Sequence, residues 1–193
     1  MNPHSLRMRH RVLLVPALLA FMAIIAAPAS ASTVIPLTLE QMEALASDII
    51  VGTVQSTKAG WSKDRRLIET RVKIRVDQSV KGKGKGGKLI TVVVAGGVVG
   101  EIGMRQSGAA VFTPGERVLL LAEPKGPSEL RPVGLFQGKM AIKHDAARGI
   151  DVVTPPGPAW GADGEPVQPG IMPKGAPPAL PLKEVLRRLG TTP

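Results

Sequence analysis

Residues 67–94 constrain the fold more than any other stretch. The even positions carry Ile68, Thr70, Val72, Ile74 and Val76, and the odd positions carry Glu69, Arg71, Lys73, Arg75 and Asp77. Unbroken alternation of period two requires an extended strand with one buried face and one wet face. Lys81, Gly82, Lys83, Gly84, Lys85, Gly86, Gly87 and Lys88 follow, and then the apolar run 89–94, so the unit reads as two strands joined by a glycine–lysine loop. A strand over 67–79 would extend roughly 43 Å at about 3.3 Å per residue. Strands of that length coil or bend so that their halves serve different neighbours, as in small closed barrels. Burying the five even-numbered side chains contributes about 8–10 kcal/mol gross, an upper bound set by the extended reference state.

The N-terminus reads as an export signal. Arg7, Arg9 and Arg11 form a basic region, residues 12–27 are apolar, Pro28 breaks the run, and Ala29, Ser30 and Ala31 make an A-x-A cleavage site. The arginines are not adjacent, which favours the general secretory route over a twin-arginine one. A mature chain starting at Ser32 has 162 residues, and without those three arginines it carries 22 basic against 15 acidic residues, a net +7. That length suits one domain and a tail. No cysteine is present, which excludes disulfide staples, a lipid-modified cysteine, a thiol nucleophile and a zinc–thiolate centre. The expected location is periplasmic or secreted, with membrane contact only in passing through the signal peptide.

Residues 32–153 are expected to form the folded domain. A short helix starts at Thr38, with Gln41 as its capping-box partner and Leu39, Met42 and Leu45 on its apolar face. Residues 49–54 form a strand apolar on both faces, hence central, with Gly52 marking a bulge or bend. Residues 58–66, with Trp61, read as a connection to the long strand. Residues 95–108 hold five glycines and read as a long loop, with Val98, Val99, Ile102 and Met104 packing partly back. Further strands are expected at 117–122, 131–136, 139–143 and 150–153. Residues 154–181 hold nine prolines and five glycines and read as a linker unable to build a ladder or helix. Residues 182–190 form an amphipathic helix with Leu182, Val185, Leu186 and Leu189 on one side, which must dock on the domain or on a partner.

The motifs exclude more than they assign. Gly82, Gly84 and Gly87 satisfy G-x-G-x-x-G, but a strand follows where a phosphate site needs a helix N-terminus, so no nucleotide cofactor is expected. His144 is the single histidine after residue 31, which leaves no histidine pair for a metal. A hydrolase would have to use Ser107 or His144, without a G-x-S-x-G elbow. Trp61, Phe112, Phe136 and Trp160 are too few for the stacking platforms of single-strand nucleic-acid binders.

In order of motifs the chain resembles the netrin/tissue-inhibitor-of-metalloproteinase kind of oligonucleotide/oligosaccharide-binding (OB) fold, and a set of uncharacterised exported bacterial proteins with that pattern. The resemblance rests on Ser47, Asp48 and the run to Val54, on 72–76 leading into Val80, Lys81 and Gly82, and on Gly115, Glu116 and the run to Leu121. It implies a mainly β, five- to six-stranded antiparallel barrel with a short N-terminal helix and a C-terminal amphipathic helix. Metalloproteinase inhibitors of this kind chelate zinc through a processed N-terminal cysteine. With no cysteine here, that mechanism does not carry over.

The expected function is a non-enzymatic exported binding module, acting on a secreted protease or an envelope component. Its candidate surface is Gly96, Gly97, Gly100, Met104, Arg105 and Ser107 in the glycine-rich segment. The alternative is an envelope structural or adhesion protein attached through Lys81, Lys83, Lys85 and Lys88, which suit an anionic surface but equally a solvated hairpin tip.

Overall fold

The computed structural model describes residues 36–82, 84, 86–154 and 179–190. The export signal, residues 155–178 of the expected linker, Lys83 and Lys85 lie outside the described residues. The elements are α1 (Leu39–Leu45), β1 (Asp48–Trp61), β2 (Ile68–Lys81), β3 (Leu89–Ala95), β4 (Gly97–Val99), β5 (Ile102–Met104), β6 (Arg117–Pro124), β7 (Glu129–Pro132), β8 (Lys139–Asp145), β9 (Ile150–Thr154), β10 (Leu180–Pro181) and α2 (Leu182–Leu189). The protein is mainly β.

Helix α1 begins on the expected capping box. Thr38 Oγ1 accepts the Gln41 N–H at 3.2 Å, and the Gln41 side chain accepts the Thr38 N–H at 2.8 Å. Its buried stripe is centred on Leu39, Met42, Glu43 and Ala46, which leaves Leu45 to one side and 55% exposed rather than on the apolar face.

Strands β1 and β2 pair antiparallel from Ile49 opposite Lys81 to Trp61 opposite Ile68, with register shifts that include one between Val51 and Gly52. Residues 55–61 therefore belong to β1, not to a connection. Their polar sequence carries no apolar period, and it is the length of β2 opposite them that makes them a strand. The expected faces of β2 hold: Ile68, Val72, Ile74 and Val76 are fully buried, while Lys73, Arg75 and Asp77 are exposed.

The large sheet runs β1-β2-β3-β7-β6-β8-β9-β10, and β1 also pairs with β6 from Asp48 opposite Ala122 to Thr53 opposite Arg117. The hydrogen-bonded path β1-β2-β3-β7-β6 thus returns to β1, and β3 and β7 are its one parallel pair. One edge of β6 is shared, by β7 toward its C-terminal end and by β8 toward its start. The three strands meet at Gly138, whose N–H donates to the Val133 carbonyl (2.8 Å) and whose carbonyl accepts the Leu121 N–H (2.7 Å).

Alternation along β1 and β6 divides the interior into two cores. Ile50, Val54, Val118, Leu120 and Ala122 join Val72, Ile74, Val76 and Val92 on the inner side, with Ala110 and Phe112 added from the chain before β6. Ile49, Val51, Leu119 and Leu121 face the other way, against Met42, Met140, Ile142, Val153, Val185 and Leu189. Helix α2 therefore docks on the sheet beside α1, through the leucine and valine stripe read from its spacing.

Two further differences have simple causes. The strand expected at 131–136 stops at Pro132, because Gly134 (φ +59°) and Leu135 (φ +66°) both turn left-handed. Leu180 and Pro181, read as the end of the linker, pair with Val153 and Val152 of β9. Pro181 is tolerated there because β10 is an edge and needs no N–H on its free side.

Candidate binding surface

The glycine-rich segment is a small hairpin rather than a loop. Its entry is fixed by Gly96 (φ +98°), whose N–H donates to the Ile68 carbonyl at 2.8 Å and whose carbonyl accepts the Thr70 hydroxyl at 2.7 Å. Gly97 (φ +140°) then lies so close to β1 and β2 that a Cβ there would sit 2.7 Å from Thr70 Oγ1 and 2.8 Å from Ala59 Cβ. Gly100 (φ +60°) and Glu101 form the two-residue turn, with the positive φ on its first residue as a type II′ turn requires.

Only the base of the hairpin packs back. Val98 is 67% exposed and Ile102 56% exposed, on opposite faces of the hairpin, because Val98 stands opposite Gly103 and Ile102 opposite Val99. Met104 is half-buried beside Gly97, while Arg105, Gln106 and Ser107 are exposed. From Gly108 the chain dives inward, and Ala109, Ala110 and Phe112 are buried. Of the expected surface residues, Gly100, Arg105 and Ser107 are exposed on the hairpin and its exit, Gly97 and Met104 are half-buried at its base, and Gly96 is buried and belongs to the fold rather than the surface.

The lysine loop departs from a simple solvated tip. The Lys81 ammonium donates to the Glu43 carbonyl at 3.0 Å, where it meets the C-terminal end of α1 and the negative pole of the helix. Gly84 is buried, and a Cβ on it would lie 3.2 Å from Ile50 Cγ2. Lys88 is exposed, and its carbonyl accepts the Val76 N–H at 2.9 Å. Of the four lysines expected to act together on an anionic surface, Lys81 thus serves the fold.

His144 and Asp151 stand opposite one another on β8 and β9. His144 Nδ1 lies 3.1 Å from Asp151 Oδ1, and the Arg117 guanidinium donates to Asp151 Oδ2 at 2.7 Å. The hydrogen bond from Arg117, and after it the one from His144, hold the Asp151 carboxyl below the usual carboxylate range. The pair borders an open cleft whose apolar walls are Ile150, Pro181, Leu182 and Leu186. Gln78, near the far end of β2, also lines it, whereas Ser107 follows the hairpin anchored at Ile68. Ser107 is not among the residues that line the cleft at His144, so among the described residues nothing pairs the two as nucleophile and base.

Sequence reasoning missed one feature, the free edge of β1 beyond Val54. Beyond the bonds of Val54 with Gly115 and Glu116, residues 55–61 pair with β2 alone among the described residues. The signal was present in the length of β2, which demanded a partner longer than six residues. No protein-family model matches this chain, and no curated protein does.

Proposed function

We propose that the chain is an exported, non-enzymatic binding module whose core is a five-stranded closed barrel of OB type. The ring of pairings β1-β2-β3-β7-β6-β1, antiparallel except for β3 with β7, supports the barrel. So does the inner core of alternate side chains from those strands. Removal of residues 1–31 as a signal peptide releases the mature chain to the periplasm or the medium. The partner is a secreted protease or an envelope component.

One observation carries the binding reading: the β4–β5 hairpin holds Val98 and Ile102 in solvent on a base rigidly fixed by Gly96 and Gly97. A partner that closes over the hairpin removes both side chains from water, and this burial supplies a driving force for association. The test compares the mature protein with the double variant Val98→Asp, Ile102→Asp in affinity capture from envelope extract. A partner retained by the first and lost by the second, at equal thermal stability, supports the reading. Identical capture by both, or capture of nothing, overturns it.

A further inference from the structure

We propose that the free edge of β1 over residues 55–61 is a strand-docking site that takes one extended acidic peptide by adding it to the sheet. The proposal rests on the reading of the chain as a binding module and names the chemistry of its partner.

The orientation of the free backbone groups follows from three hydrogen bonds. Ser62 N–H donates to the Leu67 carbonyl (2.8 Å), and Gly96 N–H donates to the Ile68 carbonyl (2.8 Å). The Ile68 backbone therefore faces β3, and Trp61, which stands opposite Ile68, turns its own N–H and C=O away from β2. Alternation along the ladder gives the same outward direction to Ala59 and Thr57, while Gly60, Lys58 and Ser56 bond to β2. Val54 checks the count from the other side of the bulge at Gln55: it stands opposite Ile74, and its N–H donates to Glu116 on the β6 side at 2.9 Å. Three N–H and three C=O groups thus face outward along one edge that no strand among the described residues pairs. Gln55, Ser56, Thr57 and Lys58 are exposed, Ala59, Gly60 and Trp61 are half-buried, and among the described residues nothing lies within 4 Å of where a Cβ on Gly60 would stand. Such a row of unpaired groups is the template used in recognition by strand addition.

Charge selects the occupant. On the wet face Ser56 stands opposite Lys73, Lys58 opposite Arg71, which is paired with Glu69 and Glu129, and Gly60 opposite Glu69, which Lys125 also pairs. Lys58 and Lys73 are exposed and have no ion pair among the described residues. The adjoining turn adds exposed Lys63, Arg65 and Arg66, and its one acid, Asp64, accepts from the Ser62 hydroxyl and the Arg66 N–H. An added strand places alternate side chains beside Lys58, where glutamate or aspartate fits. Its other side chains lie beside Thr57, Ala59 and Trp61, where small or β-branched residues fit. A second copy of this chain fits worse, because antiparallel pairing of two β1 edges about Ala59 leaves the two Lys58 side chains as diagonal neighbours, between copies of a mature chain that each carry a net +7.

The test follows backbone amide exchange by NMR in the mature protein, titrated with a nine-residue peptide alternating glutamate and valine. Exchange at Thr57, Ala59 and Trp61 is expected to slow by about tenfold or more at saturation, with Lys58 and Gly60 unchanged. A lysine–valine peptide, and a glutamate–valine peptide N-methylated at alternate residues, are expected to give no protection. Lys58→Glu is expected to weaken the acidic peptide about fivefold or more. Ala59→Pro removes an outward N–H without touching the β2 ladder and should abolish protection of Trp61. If that variant fails to fold, the N-methylated peptide reads the same contact. Absence of protection at millimolar peptide overturns the proposal. So does protection that grows with protein concentration alone, which would make the occupant a second copy, and so does peptide binding confined to the hairpin. Should capture remain sensitive to the hairpin variant while no edge amide is protected, the binding-module reading stands and the edge assignment fails.

Discussion

Gly138 shows how much of this fold turns on single close approaches. A Cβ on it would lie 2.3 Å from the Leu121 carbonyl oxygen and 2.7 Å from the Val133 nitrogen, both backbone atoms within the junction of β6, β7 and β8. Backbone cannot swing aside as a long side chain can, so the three-strand junction must open to admit a methyl group. Gly138→Ala is expected to lower the unfolding free energy by about 3 kcal/mol or more. Gly100→Ala, at φ +60° with open space around it, is expected to cost about 1–2 kcal/mol. Urea denaturation measures both, and equal losses would contradict the junction. In the sequence the two glycines look alike, each beside a polar residue between apolar runs. Local chemistry announces a turn, whereas a backbone crowded by a strand distant in sequence leaves no local trace. The same holds for Lys81, which reads as one of four solvated lysines and is instead bonded to a carbonyl 38 residues away.

At the scale of elements, periodicity spoke wherever burial was one-sided and regular. The alternation of β2 and the leucine spacing of α2 describe faces that the structure buries, and the capping box marks where α1 begins. It was silent where a strand is wet on both sides. Residues 55–58 are exposed, so no apolar period marked the outer half of β1. The hairpin of β4 and β5 was obscured for a related reason: glycine occupies three of its positions, and Val98 and Ile102 point to solvent. Helix α2 supplies the element-scale prediction. Leu189 is 3% exposed against the core it shares with Val153 and Met42. Leu189→Ala is expected to destabilise the whole mature protein by about 2–4 kcal/mol in a single cooperative urea transition. An unchanged transition would mean that α2 does not dock on this core.

For the whole molecule, the two cores explain why a chain with no cysteine can hold a 14-residue strand on each arm of its first hairpin. The first half of β1, over 49–54, and β6 over 118–122 are apolar on both faces and bonded on both edges, so they form the shared wall between the inner core and the helix-covered core. The sequence pattern placed this wall, since residues 49–54 and 117–122 are apolar on both faces. It did not reveal that β8 and β9 extend the same sheet over the second core, because short strands carry too few residues to report a direction. Beyond the wall, β1 and β2 run on as a ribbon whose free edge and adjoining hairpin make up the surface assigned to binding. Strand β1 changes, partway along its length, from two bonded neighbours to one among the described residues. Residue-resolved amide exchange of the free protein tests this most directly. We expect slow exchange at consecutive residues from Ile49 to Thr53, then alternation, with Ser56, Lys58 and Gly60 slow and Thr57, Ala59 and Trp61 fast. Alternation already present between Ile49 and Thr53, or uniform protection through to Trp61, would contradict it.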